Sequence, residues 1–279
     1  PLSVTPSQFT LGNGQSQTLQ IQAVTTDPSL IGRWVDGSVV LESPGAPSQR
    51  LQVTVMASGG DLPELFQLQT SNSRGSVVVP LNGLARVTLG QWDASSLTEA
   101  DLTQFNSVQE DPTRFDPYDS PTGTVWEIHD IPANTALLVA QTNSSNASDI
   151  DLYVGLDING NGSPDAFEQR CSSVLPSVNE RCVLSSPEPG RYWVMYQNWE
   201  GGSSTVNSVS GETAIVPAAN EGNFFVNGPG VVAPGDGFSL EVAWDEGRIG
   251  RNTAWWGGVS LGTDGDNPGN LGMLPFRLT

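Results

Sequence analysis

The sequence contains no lysine, one histidine and two cysteines. All 11 basic residues are arginines, against 30 Asp and Glu residues, which gives a formal net charge of −19. A chain this acidic lacks the basic patch that neutralises phosphates, which argues against a nucleic acid partner. No apolar run reaches the roughly 20 residues that a membrane-spanning helix needs. We therefore expect a soluble protein with no membrane span.

A catalytic constellation is also missing from the sequence. No G-x-S-x-G nucleophile motif, H-E-x-x-H zinc motif, phosphate loop or dinucleotide fingerprint is present. The single histidine, His129, lies in the stretch VWEIHDI beside Glu127 and Asp130. A lone histidine on a strand is more often structural than catalytic, so we expect the chain itself not to be an enzyme. A hydrolase centred on His129 is the alternative.

What the sequence has instead is the pattern of an all-β protein. It carries 31 Gly and 20 Pro, and its apolar residues alternate over short stretches bounded by turn residues. We predict tandem β-sandwich domains of Greek-key or jelly-roll type, with at most one short helix near 97–106, where Ser96 and Glu99 match a capping box. The predicted strands are 2–4, 17–24, 37–41, 51–55, 66–69, 75–80, 85–89, 125–131, 136–142, 149–156, 191–199, 213–218, 223–228, 238–245, 254–262 and 273–279.

Three domains are predicted along the chain. The first covers 1–58, with Trp34 as the aromatic residue of its core and an SGG linker at 58–60. The second covers 59–210, and the third covers 211–279. Since the chain begins at Pro1 without a methionine or a signal segment, we expect it to be cut from a larger precursor.

The most specific chemical pattern is DINGNGSPDAFE at 157–168. Its oxygen-bearing residues recur at the spacing of a calcium loop, with a glycine at the sixth position where such a loop turns sharply. The predicted ligands are Asp157, Asn159, Asn161, Ser163 through its carbonyl, Asp165 and Glu168 as the closing bidentate ligand. Because the preceding DLYVGL is strand-like, we predict an isolated loop that stabilises the fold. The alternative is a turn that happens to carry acids.

The two cysteines, Cys171 and Cys182, flank a short loop. In an exported protein this spacing favours a disulfide, and two free thiols are the alternative. Four tryptophans are candidates for a binding surface: Trp193, Trp199, Trp255 and Trp256. Adjacent residues on a strand point to opposite faces, so one member of each neighbouring pair is a candidate for exposure. The favoured interpretation is that sheet packing or an inter-domain seam covers both faces.

Several stretches resemble the C-terminal accessory regions of secreted bacterial subtilisin-like proteases. LSVTPSQFTLGNGQSQTLQIQ and GRWVDGSVVLES resemble a fibronectin type III-like domain. DIDLYV, the paired cysteines and PGRYWVMYQNWEGG resemble a bacterial pre-peptidase C-terminal domain. GPGVVAPGDGFSLEVAWD and WWGGVSLGTDGDNPGNLG resemble the terminal β-domain that follows it in some relatives.

This resemblance implies a secreted bacterial protein whose chain is attached to a serine endopeptidase catalytic domain. The expected function is therefore a calcium-stabilised, non-catalytic accessory region that aids secretion, folding or substrate engagement. The alternative is an extracellular binding module for insoluble protein or polysaccharide, which would use the tryptophans named above.

Overall fold

The computed structural model describes residues 2–24, 27–250 and 253–279, and its regular structure is almost entirely β-strand. The described residues form twenty strands and two single-turn 3-10 segments, Pro28–Leu30 and Ala166–Glu168. The predicted all-β fold class is confirmed. In chain order the strands are β1 (Leu2–Thr5), β2 (Gln20–Ala23), β3 (Trp34–Ser43), β4 (Ala46–Met56), β5 (Phe66–Leu68), β6 (Arg74–Leu81), β7 (Gln91–Ala94), β8 (Thr98–Glu99), β9 (Asp101–Gln109), β10 (Thr124–Ile131), β11 (Thr135–Ser145), β12 (Asp149–Leu156), β13 (Gln169–Ser173), β14 (Arg181–Ser185), β15 (Gly190–Glu200), β16 (Val206–Pro217), β17 (Phe224–Asn227), β18 (Phe238–Asp245), β19 (Trp255–Gly262) and β20 (Gly272–Leu278).

The first four strands form two antiparallel pairs, β1 with β2 and β3 with β4. One face of the β3–β4 hairpin is apolar, and Val39 on this face is buried opposite Leu51. Trp34 lies on the other face and is 69% exposed. The prediction that Trp34 fills a core is therefore wrong, because its register places it opposite the exposed Met56.

The middle sandwich, as we call residues 101–217, consists of two four-stranded sheets. One has the order β10-β15-β12-β13 and the other β14-β11-β16-β9. Their facing side chains form one core, which includes Val194 and Tyr196 from β15, Leu152 from β12 and Leu138 from β11. Because side chains alternate along a strand, the other residues of β15 point to the outer face of this sheet, where the candidate site described below lies.

The terminal sandwich combines the last four strands with strands from the middle of the sequence. One sheet has the order β17-β18-β6 and the other β5-β20-β19-β7, with β8 also paired to β19. The predicted boundary at residue 210 does not follow this pairing, since β5 to β8 belong with β17 to β20. Alternation along the sequence identifies strands but does not specify which distant strands pair. Dividing the chain into consecutive domains therefore could not predict that β5 to β8 pair with β17 to β20.

Residues 98–109 are strands and not the predicted short helix over 97–106. Thr98 and Glu99 pair with Trp256 and Trp255, and β9 pairs with β16. Ser96 does not cap a helix, because its hydroxyl donates to the carbonyl of Ala219 at 2.7 Å. Long-range strand pairing thus overrides a local capping pattern. The predicted strand at 85–89 is also reduced, to a single bridge between Val87 and Val232.

A third apolar layer joins the two sandwiches. Leu137, Val139 and Val216 on the outer face of sheet β14-β11-β16-β9 pack against Trp256 of β19. At this seam the carboxylate of Glu212 accepts hydrogen bonds from Trp256 Nε1 (2.9 Å) and from Arg277 Nε (2.9 Å) and Nη2 (3.1 Å). The two sandwiches are therefore held together by apolar packing and one buried ion pair.

No helix in the part of the chain that the structure describes is long and apolar enough to cross a membrane.

Candidate metal centre

The loop at 157–168 connects strand β12 to strand β13 and leaves the sheet at Asp157, whose backbone N–H still donates to the carbonyl of Arg191 (2.8 Å). Gly160 and Gly162 both have a φ of 72°, a region that glycine enters without a steric penalty. These two residues allow the chain to turn twice within a few residues. The loop ends in the 3-10 turn Ala166–Glu168.

Asp157 is the first residue of the loop, and its side chain bonds to the backbone within the loop. Its side chain is fully buried, and its Oδ2 accepts a hydrogen bond from the backbone N–H of Gly162 at 3.1 Å. The nearest cation, Arg191 Nε, lies 3.8 Å from the same oxygen. The other oxygen, Oδ1, is buried and has no hydrogen-bond partner. A buried carboxylate oxygen without a partner is unfavourable, so this atom is suited to a cation.

The remaining predicted side-chain ligands within the loop converge on one another. Asp165 Oδ2 accepts from the amides of Asn159 (2.8 Å) and Asn161 (3.0 Å). The amide oxygen of Asn159 accepts from the N–H of Asn161, and that of Asn161 accepts from the N–H of Ser163. The amide nitrogens therefore face Asp165, and the amide oxygens are occupied by backbone N–H groups. These oxygens could bind a cation together with Asp165 only if both amides turned and gave up these hydrogen bonds.

Glu168 lies beneath the loop and is completely buried. Its Oε1 accepts from the N–H groups of Ile158 (2.8 Å) and Asn159 (3.2 Å), and its Oε2 accepts from Trp193 Nε1 (3.0 Å). This carboxylate thus ties the loop to strand β15. To bind a cation through both oxygens, as predicted, Glu168 would have to give up these hydrogen bonds.

Carboxylates alone do not form a metal site here. Within the described ranges, no group of three or more His, Cys, Asp or Glu side chains is placed to hold a metal ion. A cation in this loop would be held by Asp157 and Asp165 together with the amide oxygens of Asn159 and Asn161 and the carbonyl of Ser163. An all-oxygen set of this kind suits calcium, which takes six to eight oxygen ligands and tolerates irregular geometry.

The predicted disulfide is confirmed: Cys171 and Cys182 are bonded, with their Cα atoms 5.9 Å apart. Cys171 lies on β13 and Cys182 on β14, so the bond links the two sheets of the middle sandwich. It lies three residues after Glu168 and fixes the strand that leaves the loop.

His129 lies in a polar cluster on strand β10. Its Nε2 is 3.2 Å from Glu127 Oε1, and the hydroxyls of Thr103 and Thr213 both donate to Glu127. Burial raises the pKa of Glu127, but the adjacent His129 and the hydrogen bonds from the two threonines outweigh it and hold that pKa below its usual value. Because both hydroxyls donate to Glu127, neither is placed to be activated by His129.

A second group of buried carboxylates was not foreseen from the sequence. Asp151 is buried on β12, and burial together with the nearby charges of Asp149 and Glu180 raises its pKa to about 7. The hydroxyl of Tyr153 lies 3.2 Å from both Asp151 Oδ2 and Gln197 Oε1. Alternation places Asp151 on the outer face of its sheet but does not show whether that face is covered.

Three of the four candidate binding tryptophans are buried and cannot form a surface platform. Trp193, Trp255 and Trp256 have no exposed area. Trp193 lies on the outer face of the middle sandwich beneath Tyr118, Trp255 lies in the core of the terminal sandwich, and Trp256 lies at the seam. Both faces of these sheets are covered, as the favoured interpretation of the sequence held, and the alternative of an exposed member in each pair fails.

Trp199 is the exception, since it is partly exposed and packs edge-on against Phe115, with ring centroids 5.1 Å apart. Phe115 is 89% exposed, and the guanidinium of Arg114 lies 5.7 Å from the Trp199 ring. Sequence reasoning did not single out Phe115. Its position in the polar stretch EDPTRFDP was the one signal that could have done so.

Comparison with protein families finds no match for this sequence, and comparison with curated proteins finds none either. Among solved structures, the M60 catalytic domain with the CBM51-1 and CBM51-2 domains from Clostridium perfringens ZmpB is similar over 93% of this chain, at 10% sequence identity and a TM-score of 0.25. The chain spans 27% of that structure's chain. A likeness at this level carries no argument about function.

Proposed function

We propose that this chain is a calcium-stabilised, non-catalytic accessory region of a secreted bacterial hydrolase, with a subtilisin-like serine endopeptidase as the attached enzyme. The observation that carries the calcium part is the buried, unpartnered Oδ1 of Asp157 at the start of a loop with several oxygen-bearing side chains. A divalent cation would compensate this buried oxygen. The disulfide beside the loop supports an oxidising, extracellular location.

The attachment to a protease rests on the sequence resemblance of three consecutive stretches of the chain. The accessory role also accords with how the structure uses its polar groups. The carboxylates of Glu127, Glu168 and Glu212 all accept hydrogen bonds that join strands or layers. Carboxylates that accept hydrogen bonds in this way contribute to the stability of the fold.

Titration calorimetry tests the cation site. Chelator-treated protein titrated with calcium should give one saturable binding event, and Asp157→Asn should abolish it, because the substitution removes the buried charge that faces the loop interior. The matched control is Asp236→Asn, which removes an exposed carboxylate in a different loop and should leave binding intact. Binding that survives in Asp157→Asn would place the site elsewhere.

An activity assay tests the non-catalytic assignment. The purified chain should hydrolyse neither generic peptide nor glycoside substrates. Hydrolysis by the chain that is lost in His129→Ala would contradict the assignment and favour an enzyme centred on His129.

The second candidate function is a binding module, which the exposed Phe115 beside Trp199 favours. Aromatic side chains presented at a surface are the usual contacts for sugars and for extended protein chains. Pull-down on collagen, chitin and cellulose separates the two functions. Retention that is lost in both Phe115→Ala and Trp199→Ala would support binding, and absence of retention would favour the accessory role.

A further inference from the structure

Residues 110–122 form a strap that crosses from strand β9 to strand β10 over the outer face of sheet β10-β15-β12-β13. The strap contains no regular strand or helix. Its first anchor is Gln197 of β15, whose buried amide donates to Asp111 Oδ2 (2.6 Å) and to the carbonyl of Arg114 (2.9 Å). The N–H of Asp111 also donates to the carbonyl of Asn198 (2.9 Å). The strap is therefore fastened at one end through its backbone.

Tyr118 is the second anchor, and it lies beside the end of the 157–168 loop. Its hydroxyl donates to Gln169 Oε1 at 2.7 Å, and Gln169 directly follows Glu168. Its ring packs edge-on against Tyr153 and Trp193, with centroids 6.1 Å apart in each case. Glu168 holds the Trp193 indole by a hydrogen bond. The position of Tyr118 thus depends on the same carboxylate that ties down the loop.

The loop and the strap also face each other across a cavity of about 290 Å³. This cavity is lined by Tyr118 and Pro121 on the strap side and by Ser163 and Pro164 on the loop side. Trp126 forms part of its wall and donates from Nε1 to the carbonyl of Gly162 at 3.1 Å. A rearrangement of the loop around Gly162 would therefore change the wall of the cavity beneath the strap.

The strap contains a peptide bond, Arg114–Phe115, that an endopeptidase could cleave. Phe115 is 89% exposed, and Arg114 is partly exposed. Endopeptidases bind their substrates as extended segments, whereas the strap is a series of turns and the Arg114 carbonyl is held by Gln197. Cleavage after Arg114 therefore requires the strap to lift, and its rate follows the population of the lifted state when opening is fast.

We propose that cation binding in the 157–168 loop keeps the strap closed, so that the Arg114–Phe115 bond is a proteolytic processing site guarded by calcium. Loss of the cation loosens the seat of Tyr118 and lets the strap lift. An arginine-specific endopeptidase then adds water across the amide bond, leaving a carboxylate on Arg114 and an amine on Phe115. This inference rests on the cation site proposed above.

The cut would open the strap without separating the two pieces. Strand β6 pairs with β18 and strand β9 pairs with β16, so both sandwiches contain strands from each side of the cut. The disulfide lies entirely in the second piece. The expected product is a nicked protein in which the aromatic floor at Tyr153 and Trp193 becomes accessible.

Limited trypsin digestion tests the proposal, and the absence of lysine restricts cleavage to the 11 arginines. Cleavage at Arg114 is measured by intact mass relative to cleavage at Arg33, which is exposed in the amino-terminal hairpins and serves as an internal standard for trypsin activity. Mass action limits the protection to about 100-fold at calcium 100-fold above its Kd. We expect the Arg114/Arg33 ratio to rise at least about tenfold when calcium is chelated.

Three variants separate the steps. Asp157→Asn should give the high Arg114/Arg33 cleavage ratio of chelated protein whether or not calcium is present. Asp236→Asn should behave as the unchanged protein. Tyr118→Phe keeps the ring but loses the bond to Gln169, so it should raise the ratio in calcium while the calcium-dependent rise in Tm persists. A calcium-dependent Tm with a ratio that changes less than about twofold would overturn the strap proposal alone. Absence of any calcium effect on Tm would overturn the cation site and the strap proposal together.

Discussion

The buried ion pair at the seam gives the most quantitative prediction about stability. Glu212 is 2% exposed and Arg277 12% exposed at the side chain, and Glu212 accepts three hydrogen bonds from Arg277 and Trp256. Replacing Glu212 with Met removes the charge and keeps the approximate length of the side chain. Arg277 is then left as a buried cation without its partner.

Breaking one side of a buried pair costs about 3–5 kcal/mol, because the remaining charge is not solvated. For a cooperative unit of this size each kcal/mol lowers Tm by about 2–4 °C, so Glu212→Met should lower Tm by roughly 6–20 °C. The double variant Glu212→Met/Arg277→Met removes both charges. It should recover at least half of the loss, since replacing a buried pair with apolar side chains is often close to neutral.

Urea and thermal unfolding followed by tryptophan fluorescence measure both effects, and the double-mutant cycle gives the coupling between the two side chains. A coupling below about 0.5 kcal/mol would refute the reasoning. It would mean that the seam is held by apolar packing alone and that Glu212 and Arg277 act independently.

Three further predictions concern the middle sandwich. Replacing Cys171 and Cys182 with Ala should cost about 3 kcal/mol by the chain-entropy estimate for a loop of this size, as measured by urea unfolding; an unchanged midpoint would contradict the estimate. A Cβ at Gly155 would lie 2.0 Å from the Trp193 ring, so Gly155→Ala should cost about 1–3 kcal/mol by overpacking, whereas Gly247→Ala, which meets no atom within 4 Å, should be nearly neutral. The raised pKa of Asp151 means that the folded state keeps a proton that the unfolded state has released, so stability should fall as pH rises from about 4 to 7. The pH dependence of the urea midpoint should flatten in Asp151→Asn, and an equal slope in both proteins would contradict the assignment.

Alternation along the sequence located most of the strands because the period of two is a local property. The predicted strand at 191–199 lies within Gly190–Glu200, and the predicted strand at 149–156 coincides with Asp149–Leu156. The disulfide was also predictable, because a short loop between two cysteines leaves few alternatives. The failed predictions share one cause. Strand pairing and the covering of sheet faces both depend on contacts between residues that are far apart in the sequence.

Long-range contacts decided the features that sequence reasoning missed. Ser96 and Glu99 match a helix cap locally, but strand β19 supplies a partner for the residues that follow Ser96. Trp256 was a candidate for a binding surface, but the sequence could not show which layer of structure covers its face of the sheet. In the 157–168 loop, the spacing identified the oxygen-bearing residues, whereas the hydrogen bond from Trp193 to Glu168 depends on a strand more than twenty residues away.

The central claim is that a cation in the 157–168 loop stabilises the folded chain, and a melting curve with calcium and then with chelator tests it most directly. We predict a rise in Tm of several degrees with calcium, because a ligand that binds only the folded state stabilises it by mass action. The rise should be lost in Asp157→Asn and kept in Asp236→Asn. Equal melting temperatures with calcium and with chelator would contradict the claim and leave the loop as a turn held by its own hydrogen bonds.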